Sequence, residues 1–551
     1  MLLGYAALYL GAALLAATFV SLVVQPLLLR ARYTAQGVAC MSPFLPLIGD
    51  LPELRRVRET LPFSQWFSRL DAYGVSLFAL GPAQRLRVRA LDTVKAVLVS
   101  HASHFEKPQH MRTVLGPLME SGLLLAEGGV HRAQRSLVSP AFHFAALRDM
   151  APLIARSAAR LARKMVAAGE GGAVVPFHEE ASAVTLHIIA AAAFGADFQG
   201  LLPDALPGEE GGGEGSGARI PPLRGSSDTS FMLSSTRALQ HAVTQLLLNP
   251  LLLLPVPSVM RIALISSGGI AAHIARVREL GGRLIADRRA WRAAAAATAA
   301  GGGVAAPAAP LLLDRLLEAQ EARTSGGAPL TDAEVLDESL TFVMAGHDTT
   351  AQVLTFAFLL LARAPEWRES LRGELSRVLG SPPRLPSADD VSSLPLLGAV
   401  VNEALRLYPP APNVSRVCVR DCELPCASLP AGVLRIARGT VCYVPFGSIH
   451  RDAELWPNPD AFDPSRWLPH AGDAPGAPPP RLAHPLAFLP FSVGPRNCVG
   501  STFALLEARI ILAVLVSRLD WAIHASYVPR EALAITLSPA RGMPITVTAR
   551  G

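Results

Sequence analysis

At 551 residues the chain could form one large domain or several smaller ones, and half of its residues are apolar, which is enough for a sizeable core. The net charge of +6 is a mild basic bias, which favours an acidic protein partner or an anionic membrane surface and argues against nucleic acid. Six cysteines are too few for a disulfide scaffold, so we expect reduced thiols in a protein that faces the cytosol.

Residues 1–29 contain no charged side chain, and about twenty apolar residues are enough to cross a bilayer. Arg30 and Arg32 follow at once, and positive residues stay on the cytoplasmic side, so the pattern predicts a lumenal N-terminus and a cytosolic remainder. A cleaved signal peptide is the alternative, but the stretch has no positive start and no compelling cleavage site, and it is not a transit peptide rich in Arg and Ser. We therefore predict a transmembrane anchor over 1–29, and a basic, proline-rich hinge over 30–54.

The remainder, residues 55–551, is expected to form a single domain. Up to about residue 200 its pattern is mostly helical, with apolar residues at three- and four-residue spacing. Two low-complexity stretches, 203–230 and 293–310, are expected to loop out of this domain as flexible insertions.

A long helix is predicted from Thr331, which forms a capping box with Glu334, to Pro365, which stops it. Its second half is apolar on nearly every side, so it should run through the middle of a large core. Strand-like segments appear late in the chain, at 433–446 and 534–549. The total is mainly helical with a smaller share of sheet.

One cysteine has a setting that suits a metal ligand. Cys498 lies in the stretch PFSVGPRNCVG, and a helical pattern follows Gly500, so its thiolate would meet the N–H groups and the dipole of a helix N-terminus. Gly500 lets the backbone pass close to a large flat ligand. Arg496 supplies a positive charge for a carboxylate, and Phe491 can shield the sulfur from water. The alternative is an inert core cysteine.

The spacing Phe-x-x-Gly-x-Arg-x-Cys-x-Gly is a specific motif, and at these residues the chain resembles the cytochrome P450 family of haem-thiolate monooxygenases. The resemblance implies that Cys498 is the axial ligand of the iron in haem b, iron protoporphyrin IX. It also implies the P450 fold, mainly α with a smaller β region, in which the haem lies between the long central helix and the cysteine loop. Residues 55–551 would then be one P450 catalytic domain.

A second motif, AGHDTT at 345–350, lies inside the long helix. Asp348 and Thr349 are polar residues among apolar turns, where burial is costly without a partner or a role. The segment resembles the family's oxygen-activation motif, with Ala345 and Gly346 beside the haem. The resemblance implies that the helix is widened to admit dioxygen, that Thr349 steadies the oxygen, and that Asp348 relays protons from solvent. The alternative is a tolerated local kink in which the hydroxyls bond back to carbonyls.

A third motif is a pair of opposite charges on a predicted helix. Glu403 and Arg406 lie three residues apart on one helix face, a common pair that indicates little by itself. They match the Glu-x-x-Arg of the family, and Arg466 fits the arginine that joins it. The resemblance implies a structural network that locks the loop around the haem.

The stretch 127–142 resembles the helix in which the family's Trp-x-x-x-Arg meets a haem propionate. Arg135 fits the arginine, whereas His131 replaces the tryptophan, and an imidazole N–H can also donate to a carboxylate. A solvated surface histidine is the alternative for His131. Arg416 and Arg496 are further propionate candidates by resemblance.

Cys418, Cys422 and Cys426 could indicate zinc, but their spacing differs from that of structural zinc sites and no fourth ligand is near in sequence. The chain also has no phosphate loop and no Gly-x-Gly-x-x-Gly motif, so its electrons must come from another protein. The resemblance implies that NADPH acts indirectly, through an NADPH–P450 reductase, with cytochrome b5 as a second candidate. We expect a monomer with a single-pass anchor in the endoplasmic reticulum membrane, the plastid membrane being less favoured.

The resemblance implies a monooxygenase that activates O2 and hydroxylates a lipophilic small molecule. The general pattern is closer to the branches that hydroxylate fatty acids and terpenoids than to the sterol demethylases. The alternatives are a P450-type isomerase or dehydratase that does not use O2, against which Thr349 argues, and a non-catalytic haem-binding protein. A lipophilic substrate is also favoured by apolar residues of the long helix, Leu340, Phe342, Val343 and Val353.

Overall fold

A computed structural model describes residues 2–41, 45, 47–60, 65–66, 70–142, 147–195, 202, 234–235, 238, 270–300, 311–321, 330–469, 482–533 and 536–550. The predicted insertion at 203–230 therefore lies outside the described residues, as does 301–310 of the second insertion.

Helices dominate the described part of the chain, so the prediction of a mainly α fold with a smaller β region is confirmed. In chain order they are α1 Leu2–Phe19, α2 Gln25–Thr34, α3 Leu51–Thr60, α4 Leu91–Lys95, α5 Gln109–Met119, α6 Gly128–Val138, α7 Ala151–Ala168, α8 Phe177–Phe194, α9 Ile270–Ala300, α10 Leu312–Glu321, α11 Asp332–Arg363, α12 Pro365–Leu379, α13 Ala388–Ser392, α14 Pro395–Leu407, α15 Phe446–Ile449 and α16 Ser501–Arg518.

The β region consists of short strands: β1 Ala39–Cys40, β2 Val75–Leu80, β3 Ala83–Val88, β4 Phe105–Glu106, β5 Val175–Pro176, β6 Val414–Cys418, β7 Cys422–Pro425, β8 Val433–Ile436, β9 Val441–Val444, β10 Leu519–Ile523, β11 Glu531–Leu533, β12 Leu537–Pro539 and β13 Pro544–Ala549. They form a six-stranded sheet in the order β1-β2-β3-β9-β6-β4, a three-stranded sheet β10-β13-β5, and the pairs β7-β8 and β11-β12. The strands predicted at 433–446 and 534–549 are therefore present.

The N-terminal apolar stretch is helical beyond its predicted end. α1 continues through a π-helical turn at Val20–Val24 into α2, which ends only at Thr34 because arginine is a good helix former. The helix Tyr9–Thr34, with a mean hydropathy of 2.2, is long and apolar enough to cross a membrane by length and composition. The predicted hinge at 30–54 holds the end of α2, strand β1 and the start of α3.

The prediction that the chain up to about residue 200 is mostly helical missed a hairpin. β2 and β3 pair antiparallel, with Val75 opposite Val88 and Leu80 opposite Ala83. The turn falls at the dipeptide Gly-Pro, which marks turns. β2 is buried over almost its whole length, so it lacks the alternation of apolar and polar residues that identifies a half-buried strand.

The prediction of a flexible insertion at 293–310 is wrong for residues 293–300, which form the end of α9. Their sequence is AAAAATAA, and alanine has the highest helix propensity of all residues. These low-complexity residues therefore continue α9 instead of breaking it.

The long helix α11 runs through the largest hydrophobic core, as its apolar pattern predicts. It begins with the predicted capping box: the Glu334 N–H donates to the Thr331 hydroxyl at 3.2 Å, and the Thr331 N–H donates to the Glu334 carboxylate at 2.8 Å. It ends before Pro365, which begins α12. Helices α8, α14 and α16 pack around it, so α11 is the element on which the site is built.

Candidate functional site

The loop that carries Cys498 is held in a tight shape just before α16. The Cys498 N–H donates to the Phe491 carbonyl at 2.9 Å, which closes the loop. Gly494 has a φ of +80°, and a methyl group on it would lie 2.1 Å from the Leu98 carbonyl oxygen. Only glycine fits at this turn, because other residues would suffer both the strained backbone and the collision.

Two groups favour the thiolate form of Cys498. Although Cys498 is an exposed residue, protein surrounds it closely enough that desolvation raises the pKa of its thiol. The Gly500 N–H, which bonds to the sulfur, and the positive charge of Arg135 each lower that pKa in part. A thiol that ligates a metal is deprotonated outright, and these groups stabilise the resulting charge.

A short open face interrupts the buried surface of α11. Ala345 is exposed and Thr349, one turn later, is partly exposed, whereas the neighbouring Asp348 and Thr350 are buried. The Thr349 hydroxyl donates to the Ala345 carbonyl at 2.8 Å. The face is therefore small and weakly polar, with one hydroxyl as its only side-chain donor.

The helix is not widened at this face, in contrast to the expectation from the AGHDTT motif. α11 stays α-helical from Asp332 to Arg363, and the Thr349 hydroxyl bonds back to a carbonyl, as the alternative interpretation holds. A methyl group on Gly346 would lie 2.9 Å from Cγ1 of Ile189 in α8. The structure thus gives Gly346 a packing role, the close approach of α8 to α11, and its predicted position beside the haem stays a prediction.

One aromatic side chain connects the cysteine loop with α11. A methyl group on Gly500 would lie 3.7 Å from the Phe142 ring, and the rings of Phe142 and Phe342 have centroids 5.4 Å apart. Gly500 belongs to the loop and Phe342 to α11. Phe142 therefore bridges the cysteine loop and α11.

Asp348 is fixed by two hydrogen-bond donors that sequence reasoning missed. The Gln352 amide donates to one carboxylate oxygen at 3.3 Å, and the Thr536 hydroxyl donates to the other. Gln352 lies one helical turn after Asp348, a spacing at which side chains meet, so its role could have been inferred. Thr536 precedes β12, far away in the chain, and has no local signal.

Basic side chains cluster beside the cysteine loop. His131 is buried, which excludes a solvated surface histidine, and desolvation together with the charges of Lys107 and Arg135 lowers its pKa to about 4. Arg416 is also buried, which lowers its pKa to about 10, and among the described residues its guanidinium donates only to the Ser415 carbonyl, at 2.9 Å. Buried cations without a carboxylate are costly, so the cluster favours an anionic ligand.

Two of the predicted propionate partners bond to protein groups. Arg135 donates to the backbone and side-chain oxygens of Asn497 at 2.5 and 2.6 Å. Arg496 donates to the Ala126 carbonyl at 2.5 Å and forms an ion pair with Glu127. Both arginines therefore brace the cysteine loop.

Lys107 belongs to the same basic cluster and was missed by sequence reasoning. Its ammonium donates to the Leu124 carbonyl, and desolvation with the charges of Arg496, Arg416 and Arg112 holds its pKa well below the usual value. No local pattern marks this lysine. It reaches the cluster because β4, which it follows, pairs with β6, the strand of Arg416.

Glu403, Arg406 and Arg466 form one buried network. Glu403 and Arg406 are fully buried and share two N–H···O contacts of 2.8 Å, and Arg466 reaches Glu403 at 3.3 Å. The Trp467 indole N–H donates to the same carboxylate at 2.9 Å. The network ties α14 to the following segment, because Arg406 also donates to the carbonyls of His450, Pro459 and Ala461.

The three cysteines at 418–426 do not converge on one point. The sulfur atoms of Cys418 and Cys422 are 3.8 Å apart, whereas Cys426 contacts the Ser428 hydroxyl at 3.3 Å. Cys418 and Cys426 are buried in the core of the sheet region. Nowhere in the described ranges do three or more His, Cys, Asp or Glu residues form a group that could hold a metal ion.

The residues present fit haem b. A thiolate supported by an N–H donor is a known ligand of haem iron, the basic cluster suits two carboxylates, and the open face of α11 is lined by a small residue.

Comparison with known proteins identifies the class. The family model described as Cytochrome P450 matches residues 41–542, which is most of the chain. The chain therefore belongs to the cytochrome P450 family, and it is an enzyme of the monooxygenase class.

Relatives of known name extend over much of the chain. It is 30% identical to cytochrome P450 714D1 of Oryza sativa subsp. japonica over 456 residues, which are 81% of this chain and 70% of the relative. It is 29% identical to cytochrome P450 734A4 of the same species over 550 residues, 95% of this chain and 93% of the relative. A cytokinin hydroxylase of Arabidopsis thaliana is 37% identical over 214 residues, 39% of this chain and 38% of the relative.

Proposed function

We propose that this enzyme hydroxylates a lipophilic small molecule, a fatty acid, a terpenoid or another lipid, with O2 and with electrons that come from NADPH through a reductase. One observation supports the proposal: Phe142 bridges the loop of Cys498, whose sulfur is bonded by the Gly500 N–H, and α11, the helix with the open face at Ala345 and Thr349. When bound, the haem supplies the activation of dioxygen. The chain's own residues bind the haem, orient the substrate and move protons.

Cys498 would ligate the iron, with Phe491 as the residue that shields its sulfur. Arg416 and His131 would meet the haem carboxylates: Arg416 is a buried cation with no acidic partner among the described residues, and the neutral imidazole of His131 keeps an N–H that can donate to a carboxylate. Arg135 would also contribute its positive charge to the binding of a haem carboxylate. Its hydrogen bonds to Asn497 also hold the cysteine loop in place.

Asp348 and Thr349 have complementary roles in proton delivery. A carboxylate accepts protons, and a hydroxyl both donates and accepts, so the pair provides the elements of a relay. The Thr349 hydroxyl lies on the open face of α11, whereas Asp348 is buried and held by Gln352 and Thr536. Asp348 would bring the proton from the protein side, and Thr349 would present it at the face.

The expected substrate is lipophilic. Leu340, Phe342, Val343 and Val353 are all buried apolar residues of α11, and Phe342 and Val353 lie on the side of the helix that carries Thr349. NADPH–P450 reductase, or cytochrome b5 for one of the electrons, would supply reducing power, since the sequence has no dinucleotide motif of its own. The helix Tyr9–Thr34 supports a single-pass anchor in the endoplasmic reticulum membrane, with the monomeric catalytic domain in the cytosol.

The test uses full-length protein in microsomes with NADPH–P450 reductase. We expect a hydroxylated product that requires both NADPH and O2. A product formed without them would overturn the monooxygenase proposal and support the isomerase alternative. Cys498→Ser should abolish the red-shifted absorbance of the reduced CO complex, while the matched variant Cys422→Ser should keep it. A normal spectrum in Cys498→Ser would remove the ligand assignment.

A further inference from the structure

Three thiols lie close together where β6, β7 and β9 meet. The sulfur atoms of Cys418 at the end of β6 and Cys422 at the start of β7 are 3.8 Å apart, which is direct contact. Desolvation, and then the charges of these two groups, raise the pKa of Cys442 in β9 well above its usual value, so the third thiol is nearby. All three are free cysteines, and the proposed haem site uses none of them.

The two thiols in contact are held by different sheets. The Cys418 N–H donates to the Thr440 carbonyl at 2.9 Å, just before β9 of the six-stranded sheet. Cys422 is paired with Ile436 of β8 in the separate pair β7-β8. Only the bend at 419–421 lies between the two cysteines, so the fold fixes both backbones while their sulfur atoms touch.

The pair is accessible from one side. Cys418 is buried, with 1% exposed, and its S–H donates to the Arg420 carbonyl at 2.9 Å. Cys422 is only partly buried, so a small oxidant reaches it first. An accessible cysteine beside a second thiol that can resolve its oxidised form is the arrangement of redox-active pairs.

Burial keeps both thiols neutral at rest. Desolvation raises the pKa of Cys418, and it raises the pKa of Cys422 to about 12, with the charge of Cys418 as the next cause. The thiolate is the reactive form, so oxidation at neutral pH should be slow. A disulfide has no ionisable group, so it suits this largely buried cluster as well as the two thiols do. The pair therefore fits a response to sustained oxidant.

We propose that Cys418 and Cys422 form a redox-modification site, at which hydrogen peroxide converts the two thiols into a reversible disulfide. The Cys422 thiolate attacks peroxide, the O–O bond breaks, and a sulfenic acid and hydroxide form. The Cys418 sulfur then attacks the sulfenic sulfur, the S–S bond forms, and the S–OH group leaves as water with the proton of the Cys418 thiol. In total two thiols lose two electrons and two protons, and one peroxide becomes two molecules of water.

The disulfide would connect the six-stranded sheet covalently to the pair β7-β8. Cys418 lies two residues after Arg416, so both side chains leave the same face of β6. The bond would therefore restrain the strand that carries a proposed partner of the haem carboxylates. The oxidation itself requires neither haem nor substrate, so this inference goes beyond the proposed function and does not depend on it.

The test is peptide mapping of the full-length holoenzyme. The protein is treated with hydrogen peroxide at pH 8, quenched with catalase, denatured with iodoacetamide, and digested with trypsin in the absence of reductant. Trypsin cleaves after Arg420, so Cys418 and Cys422 fall in two different peptides, 417–420 and 421–435. We expect these two peptides as one species, two hydrogens lighter than their sum, which dithiothreitol separates.

Diamide, a thiol oxidant that spares haem, is the second probe and should give the same species. Cys422→Ser should abolish it with both probes. Cys40→Ser is the matched control, because Cys40 is also partly buried but contacts no other thiol among the described residues, and this variant should still form the species.

Four results would overturn the proposal. The peptide 421–435 also contains Cys426, so loss of the species in Cys426→Ser would assign the bond to that residue. A link to peptide 439–451 would assign it to Cys442. Oxidation of Cys422 to a sulfinic acid, with Cys418 still alkylated by iodoacetamide, would show that the two thiols do not pair. Full alkylation of both after either oxidant would show that the site is inert.

Discussion

The hydroxyl of Thr536 donates to the carboxylate of Asp348, although the two residues are 188 positions apart in the chain. Asp348 lies in the middle of α11, and Thr536 directly precedes β12. The next residue, Leu537, donates its N–H to the Pro410 carbonyl at 2.9 Å, which anchors this hairpin. The hairpin therefore sets the orientation of the carboxylate that we propose as the proton relay.

Thr536→Val keeps the shape of the side chain and removes the hydroxyl. We expect the peroxide released per NADPH consumed to rise severalfold, because the loss of a charge-assisted hydrogen bond, about 1.5–3 kcal/mol, leaves Asp348 free to turn away. The measurement uses the reductase-reconstituted enzyme with hexadecanoic acid, a representative fatty acid, as substrate.

Thr536→Ser is the matched control, since it retains a hydroxyl in a smaller side chain. It should release little more peroxide than wild type. If the serine and valine variants release equal amounts, the packing of Thr536 matters and its hydrogen bond to Asp348 does not.

Gly346→Ala tests the packing role assigned to this glycine. Alanine improves helix propensity by about 1 kcal/mol, but the new methyl group would lie 2.9 Å from Cγ1 of Ile189, and overpacking costs about 1–3 kcal/mol. We expect a net loss of stability in chemical denaturation. In an Ile189→Ala background the collision is absent, so the same change should become neutral or stabilising. An equal effect in both backgrounds would show that Ile189 does not limit residue 346.

The parts of the fold that sequence reasoning identified have local signals. Thr331 and Glu334 stand at capping-box spacing, and Cys498 is flanked by the residues that shape its loop. Thr536 and Lys107 could not be identified, because contacts with distant segments bring them to the site: β4, just before Lys107, pairs with β6, and Leu537, just after Thr536, donates to the Pro410 carbonyl. A residue whose partners are set by tertiary structure leaves no pattern in its own neighbourhood.

Glu403→Gln should strongly destabilise the protein. The change leaves the fully buried Arg406 without its counter-charge, and breaking a buried ion pair in this way costs about 3–5 kcal/mol. We also expect a lower haem content per polypeptide, because the network ties α14 to the segment around Arg466. Glu423→Gln is the matched control.

The N···O distance in the ion pair of Glu423 with Arg435 is 2.7 Å, close to the 2.8 Å between Glu403 and Arg406. Both side chains of the Glu423 pair are exposed, however. Exposed pairs contribute little, so this variant should behave as wild type. Equal losses in the two variants would contradict a special role for the buried network.

Glu507→Gln tests a buried acid in α16. Glu507 is fully buried, and this desolvation raises its pKa from 4.5 to about 8, although the nearby Thr350 hydroxyl offsets part of the rise. Between these two pKa values the folded protein keeps a proton that the unfolded chain has lost. The unfolded state then binds fewer protons, so the free energy of unfolding falls as the pH rises towards 8.

Glutamine has no titratable proton, so the free energy of unfolding of the variant should not fall in this way as the pH rises. At pH 5 the neutral carboxylic acid and the amide are similar, and the two proteins should melt at similar temperatures. At pH 8 the glutamine variant should melt at a higher temperature than wild type. The check is a series of thermal unfolding curves of the holoenzyme from pH 5 to pH 8. Parallel dependence on pH in the two proteins would show that Glu507 is already ionised in the folded state.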